Sequence, residues 1–247
     1  LTGMVSFERI VKAILFGAIG AALGWLLVEP CPWMTTDPAQ GAPARNVDMN
    51  ALATLGAILG MSIGVGLGFA QGSSSASVGE RNRTILYTIP LGAMGGLVGV
   101  YLGQTVFGYL TNLSPRGADG QPVFFVMLVA RTLGWGLWGV AAGIGIGAGF
   151  GLASGSFRRF TLSAIGGALG GLLGGFLFEV LGAFATSPEV LRLWGFGTIG
   201  VFIGLFGALA QEMFKQAWVR VLIGRNEGRD VILDKPIVTI GKSERAD

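Results

Sequence analysis

Six long apolar runs divide the chain and decide what it can fold into. A helix needs about 20 apolar residues to cross the ~30 Å hydrocarbon core of a bilayer, because it rises ~1.5 Å per residue. The runs are Ala13–Val28, Ala51–Gln71, Ile85–Leu110, Phe124–Leu152, Leu162–Phe184 and Leu193–Met213. The first is short, and we expect it to extend back through Ile10. The sequence therefore predicts an all-α membrane bundle of six transmembrane helices, spans 1 to 6, within residues 1–215.

The composition supports a membrane chain and excludes other classes. Only 13% of the residues are charged, against about 25% in soluble globular proteins. Glycine accounts for 44 of 247 residues without a Gly-X-Y period, so the chain is not collagen-like. Glycine-rich apolar segments are typical of helices that pack closely in lipid. The net charge of +3 is too small to suggest nucleic acid, so we expect membrane lipids as the surroundings.

Two residue types limit the chemistry of the chain. The sequence has no histidine, which excludes a Ser-His-Asp triad and any histidine ligand for a metal or haem. A single cysteine, Cys31, cannot form an internal disulfide or a thiolate cluster. We interpret it as a small loop residue. The sequence therefore predicts no catalytic residues, no metal site and no cofactor, and the chain is not expected to be an enzyme.

Basic residues concentrate in alternate connections between the spans. They are Arg9 and Lys12 before span 1, Arg81 and Arg83 before span 3, Arg158 and Arg159 before span 5, and Lys215 and Arg220 after span 6. The other connections mix acidic with basic residues, and the longest of them is Pro30–Asn50. Because cytoplasmic loops carry an excess of Lys and Arg, this pattern predicts that both termini are cytoplasmic.

Short motifs recur along the spans. Spans 1, 3 and 5 contain Ala18–Ala21, Ala93–Gly96 and Ala164–Gly167, each with a further glycine four positions after its first, namely Gly24, Gly99 and Gly170. Spans 2 and 4 share a run of alternate glycines, Gly64–Phe69 and Gly145–Phe150. The simplest interpretation is three copies of a two-helix hairpin around an axis along the membrane normal.

Glycine also repeats every four residues within single spans. The ladders are Gly56, Gly60, Gly64, Gly68 and Gly72 in span 2; Gly139, Gly143, Gly147, Gly151 and Gly155 in span 4; and Gly166, Gly170 and Gly174 beside Gly167, Gly171 and Gly175 in span 5. Residues four apart lie on nearly one helix face, so each ladder lets backbones approach closely. The ladders predict either packing within the bundle or docking of other membrane subunits or lipids.

Ionisable groups inside the spans are few. They are Arg131, Glu179 and Glu212, each near the end of its span, and we expect each to reach the interface. An ion pair between Arg131 and Glu179 near the outer face is a second interpretation. Because ion and proton paths need ionisable groups across the bilayer, a channel or transporter is the least favoured membrane function.

The pattern changes after span 6, in residues 216–247. Apolar residues there form short β-type runs at Trp218–Ile223, Asp230–Leu233 and Ile237–Ile240, separated by turn residues. The turn Gly224–Arg229 reads G-x-x-x-G-R, and Ile240–Asp247 reads I-G-K-S-x-x-x-D.

These motifs resemble the opening of a forkhead-associated (FHA) domain. The resemblance implies a β-sandwich that binds phosphothreonine peptides, with Lys242 and Ser243 at the positions that contact the phosphate. Lysine replaces the usual arginine and lacks its two-pronged hydrogen bonding. The resemblance covers about a third of such a domain, and we expect the chain to continue beyond Asp247 with the remaining strands.

The order of parts is also similar to that of bacterial multi-span proteins with a C-terminal FHA domain. It implies an adaptor in the bacterial inner membrane that recognises a phosphothreonine-containing protein. The alternative is a structural subunit of a larger membrane complex that packs through the glycine ladders.

Overall fold

The computed structural model describes residues 7–30, 49–72, 78–117, 120, 122–182, 184, 187–213, 218–220 and 230–232. These residues contain six helices that are long and apolar enough to cross a membrane, which agrees with the predicted number of spans. They are α1 (Phe7–Val28), α2 (Met49–Gly72), α3 (Val78–Leu113), α4 (Phe124–Ser154), α5 (Phe157–Gly182) and α6 (Pro188–Met213).

Five of the six helices, all but α4, begin earlier than their apolar runs, and α3 and α6 are two examples. Helix α3 begins at Val78 instead of Ile85, because polar residues such as those at 80–84 remain helical where the span enters the interface. Helix α6 begins at Pro188, and the hydroxyl of Ser187 accepts a hydrogen bond from the N–H of Val190 at 3.4 Å. A serine cap followed by proline is a common helix start.

Helix α4 ends at a glycine that the sequence interpretation had placed in a packing ladder. Gly155 has φ 68°, and the following N–H, that of Ser156, donates to the carbonyl of Gly151 at 3.1 Å. A left-handed residue of this kind ends a helix and favours glycine. Gly155 is therefore a helix cap that turns the chain directly into α5.

The helices form a closed ring. Each packs against its neighbours in sequence, and α6 packs against α1. Smaller contacts join α2 to α4 and α4 to α6, so the even-numbered helices approach the centre. Their side chains supply the most deeply buried core, which contains Leu59, Ile63, Trp138, Ile146 and Ile199. In contrast, only 28% of the most apolar stretch of α3 is buried, which leaves most of that helix surface without contacts to the other described helices.

A pair of short strands follows α6. Strand β1 (Trp218–Arg220) pairs antiparallel with β2 (Asp230–Ile232), with Val219 opposite Val231. Both strands lie within the first two predicted β-type runs. The third run, Ile237–Ile240, lies outside the described residues, so the β-sandwich stays a prediction.

Candidate functional site

From Gly56 to Gly68 the ladder of α2 faces α3. A Cβ atom on Gly56 would lie 2.6 Å from the carbonyl oxygen of Gly96, and one on Gly64 would lie 2.6 Å from that of Thr88. A Cβ on Gly60 would overlap the carbonyl of Gly92, and one on Gly68 would lie 2.7 Å from Oγ1 of Thr88. Real Cβ atoms do not approach other atoms below 3.0 Å, so only hydrogen fits between these two helices.

Helix α5 uses its two ladders for two different neighbours. Gly166, Gly170 and Gly174 face α6, where a Cβ on Gly170 would lie 2.5 Å from the backbone nitrogen of Ile203. The ladder of Gly167, Gly171 and Gly175 faces α4. A Cβ on Gly139 would lie 2.5 Å from Cα of Gly171, and one on Gly167 would lie 2.6 Å from Cα of Gly143. The described ladder faces of α5 are thus occupied within the chain.

Helix α4 contacts α3 through glycines outside its predicted ladder. A Cβ on Gly145 would overlap the carbonyl of Leu91, and one on Gly149 would lie 2.8 Å from Cγ2 of Thr88. Of the ladder members, Gly147 is buried, and Gly151 has only looser neighbours, at 3.2 Å or more. Four-residue spacing also relates Ala141 to Gly145 and Gly149, and this pattern of small residues is the signal for the missed interface.

The recurring motifs occupy corresponding positions. The first glycine of each motif faces the second helix of its own hairpin, in the pairs Gly20–Ile63, Gly95–Ala142 and Gly166–Gly207. The next residue faces an adjacent hairpin, in the pairs Ala21–Gly200, Gly96–Gly56 and Gly167–Gly139. The preceding residue is exposed in each motif, namely Ile19, Met94 and Ile165. Three hairpins around an axis along the membrane normal would produce this recurrence.

Helices α2 and α4 correspond to each other in a different register from the one that their runs of alternate glycines suggest. A Cβ on Gly66 would overlap the carbonyl of Phe16, and one on Gly145 would overlap that of Leu91. Phe16 and Leu91 precede the first motif glycine by the same number of residues. Gly145 therefore corresponds to Gly66, and its alignment with Gly64 is wrong. Runs of alternate glycines match one another equally well after a shift of two residues, so the sequence could not distinguish the two registers.

The seam between α1 and α6 closes the ring without a connecting loop. At its middle, a Cβ on Gly17 would overlap the carbonyl of Gly200. At one end the carboxylate of Glu212 lies 3.6 Å from Nη1 of Arg9. At the other end Arg192 donates two hydrogen bonds to Glu29, Nε to Oε2 at 3.1 Å and Nη2 to Oε1 at 2.7 Å. The seam thus has an ion pair at each end and glycine contacts between them.

The burial of one of these acidic residues differs from what the sequence predicts. Glu212 was expected to reach the aqueous interface, but its side chain is only 1% exposed and it pairs with Arg9. The reason is ring closure, which brings the start of the first helix beside the end of the last. The second expectation, a pair between Arg131 and Glu179, lies outside the described residues because the side chain of Glu179 is not described.

A small cavity of about 30 Å³ lies between the even helices and α1. Its lining includes residues of four helices: Leu67 and Gln71 of α2, Gly143, Ile146 and Phe150 of α4, Ile203, Gly204, Gly207 and Ala208 of α6, and Ala13 of α1. This volume holds one or two water molecules at most. Among the described residues no group of three or more acidic or cysteine side chains could hold a metal ion. The cavity is therefore a packing void with one side-chain amide, that of Gln71.

We predict that Gly207→Ala leaves the free energy of unfolding unchanged or raises it by up to about 1 kcal/mol. No described atom lies within 4 Å of a Cβ at this position, and alanine is the better helix former. Gly204→Ala is the matched variant in the same helix and cavity wall, and it should be destabilising because its Cβ would overlap the carbonyl of Ala13. Unfolding titrations of both variants in mixed micelles measure the difference. Equal effects would contradict the packing described here.

The residues of the tail that were predicted to contact phosphate, Lys242 and Ser243, lie outside the described residues. The described part of the tail is the β1–β2 pair, whose strands flank the turn Gly224–Arg229 in the sequence. Comparison of the chain with protein-family models, curated proteins and solved structures finds no match.

Proposed function

We propose that this chain is a membrane-anchored adaptor whose FHA-type tail recognises phosphothreonine on a protein partner. The antiparallel pairing of β1 with β2 directly after the last membrane helix carries the proposal. It agrees with the opening of an FHA domain, in which two strands flank the G-x-x-x-G-R turn. The cation of Lys242 and the hydroxyl of Ser243 suit a phosphate group chemically.

The membrane half supports an anchoring role. The helix ring is closed by backbone contacts at glycine, and the described ionisable groups of the α1/α6 seam pair with one another at the helix ends. The cavity between the even helices and α1 is small and almost wholly apolar. A conducting path needs polar or charged groups along its length. An anchor needs none, so the described bundle suits an anchor better than a channel.

We propose a location in the bacterial inner membrane with both termini in the cytoplasm. Arg81 and Arg83 at the start of α3, and Arg158 at the start of α5, lie at the end of the bundle from which the tail emerges. Basic residues favour the cytoplasmic side of a membrane. The partner of a cytoplasmic FHA-type domain would be a cytoplasmic or membrane-bound phosphoprotein.

The alternative function, a structural subunit of a larger membrane complex, has to use different surfaces from those first proposed. The ladders of α2 and α5 are occupied by neighbouring helices of the same chain. A partner subunit would dock on the outer faces, such as that of α3, where Gly108 has no described atom within 4 Å of a Cβ. Purification under native conditions tests this alternative, because a monodisperse monomer would count against it.

We predict that the protein, expressed from its complete reading frame and placed in nanodiscs, binds phosphothreonine peptides more tightly than the unphosphorylated forms. Ser243→Ala should weaken binding severalfold through loss of one hydrogen bond to phosphate. Lys242→Arg should strengthen binding because guanidinium contacts phosphate in a two-pronged manner. Fluorescence anisotropy measures both effects with a library of threonine peptides in phosphorylated and unphosphorylated forms.

Lys235→Ala is the matched control in this experiment. It removes a positive charge from the same tail but lies at Asp234–Pro236, where the sequence predicts a turn, seven residues before Lys242 in the sequence. Its effect on binding should be smaller than that of Ser243→Ala. Equal binding of phosphorylated and unphosphorylated peptides by the unmodified protein would rule out the proposed function.

A further inference from the structure

At the end of the bundle that contains the start of α1, some basic side chains form ion pairs and others do not. There Lys12 pairs with Glu8, and Arg9 pairs with Glu212. Three further arginines at the same end, Arg81, Arg83 and Arg158, have no ion-pair partner among the described residues. Arg81 and Arg83 are exposed, and Arg158 is half-buried. These three side chains present positive charge where lipid headgroups lie.

The three arginines stand on two helices that flank a third. Thr88 of α3 packs against Gly149 of α4, and Phe160 of α5 packs beside Gly151 of α4. The starts of α3 and α5 therefore lie on either side of the end of α4. Because a helix with its side chains is about 10–12 Å wide, Arg83 and Arg158 stand about one to two helix diameters apart. Long arginine side chains at that separation can reach the headgroups of adjacent lipids.

Exposed apolar side chains lie next to these arginines. Leu86 follows Arg83 by three residues on the same face of α3 and is 65% exposed. Leu152, near the end of α4, is also 65% exposed, and Phe157 at the start of α5 is 79% exposed. A ligand that suits both sets of side chains has a negatively charged head joined to hydrocarbon chains.

We propose that this surface, defined by Arg81, Arg83, Arg158, Leu86, Leu152 and Phe157, is a binding site for anionic phospholipids. The guanidinium groups bind the headgroup phosphates through charge-assisted hydrogen bonds. The acyl chains lie against the leucine and phenylalanine side chains. The site uses none of the residues of the tail, so failure of either proposal leaves the other standing.

The test compares lipid retention by the purified whole protein. Native mass spectrometry measures the binding of phosphatidylglycerol and phosphatidylcholine by the unmodified protein and by a variant with Arg81→Gln, Arg83→Gln and Arg158→Gln. We expect a preference for phosphatidylglycerol that falls by about fivefold per arginine removed. The preference should also weaken with salt, because salt screens exposed charges. The changed residues are not in the core, so thermal melting should show a folded variant.

The matched control is Arg116→Gln, which removes an exposed arginine at the opposite end of the bundle. It should leave the phosphatidylglycerol preference unchanged. A soluble anion without acyl chains, inorganic phosphate, should not displace the lipid at millimolar concentration, and displacement would assign the site to a free phosphate. Equal retention of the two lipids, or equal loss in the control and the triple variant, would overturn the proposal.

Discussion

Gly96→Ala is expected to lower the free energy of unfolding by about 3 kcal/mol, the upper part of the usual range for overpacked sites. The new Cβ would overlap the carbonyl oxygen of Gly56 and lie 2.9 Å from its carbonyl carbon. Both atoms belong to the backbone, so no side-chain rotation can relieve the clash. Helices α2 and α3 would have to separate along the ladder and lose dispersion contacts that lipid does not replace.

Gly108→Ala provides the matched control on the same helix. No described atom lies within 4 Å of a Cβ at Gly108, and alanine is favoured over glycine in a helix by about 1 kcal/mol. This variant should therefore be neutral or slightly stabilising. Denaturant titrations in mixed micelles, followed by circular dichroism, measure both variants. If Gly96→Ala were as harmless as its control, the close α2/α3 contact would be wrong.

The number of helices could be predicted because a bilayer imposes a length. A helix needs about 20 residues to cross the hydrocarbon, and six apolar runs near that length could be counted without tertiary information. The helix ends were less predictable. An apolar run ends where the span reaches the membrane interface, but the helix can continue beyond that point. Helix α3 continues through the polar residues around Arg83 to Val78.

Glycine spacing predicted helix faces but not their partners. The ladder from Gly166 and the ladder from Gly167 look alike in sequence, yet the first faces α6 and the second faces α4. The face that α4 presents to α3 contains Gly145 and Gly149, outside the predicted ladder. Which neighbour fills a groove depends on the order and rotation of helices in the ring, and spacing within one helix does not contain that information.

The two kinds of candidate site differ in how far the sequence could predict them. Contacts across the α1/α6 seam join residues about 200 positions apart, such as Arg9 and Glu212, and no local pattern connects them. The phosphate contacts at Lys242 and Ser243 come from a resemblance of motifs, and they stay a prediction because these residues lie outside the described part of the chain.

Arg9→Met is expected to lower the free energy of unfolding by ~3–5 kcal/mol, the usual cost of removing one member of a buried ion pair. The substitution keeps the length of the side chain but removes the guanidinium that lies 3.6 Å from the carboxylate of Glu212. The side chain of Glu212 is only 1% exposed, so its carboxylate is shielded from water in this packing. The loss should be measurable as earlier unfolding in the same micelle titration.

We attribute this expected loss of stability to the burial of the ion pair and not to the loss of charge alone. Two further variants distinguish these two causes. Lys12→Met removes a cation from the same helix, but its partner Glu8 is 76% exposed, so the effect should be ~0–1 kcal/mol. Arg9→Met combined with Glu212→Met should recover most of the loss, because apolar residues often replace a buried ion pair without cost. If the double variant instead lost the sum of its two single effects, Arg9 and Glu212 would not be coupled. The first and last helices would then be held together by their glycine contacts and by the Arg192–Glu29 pair.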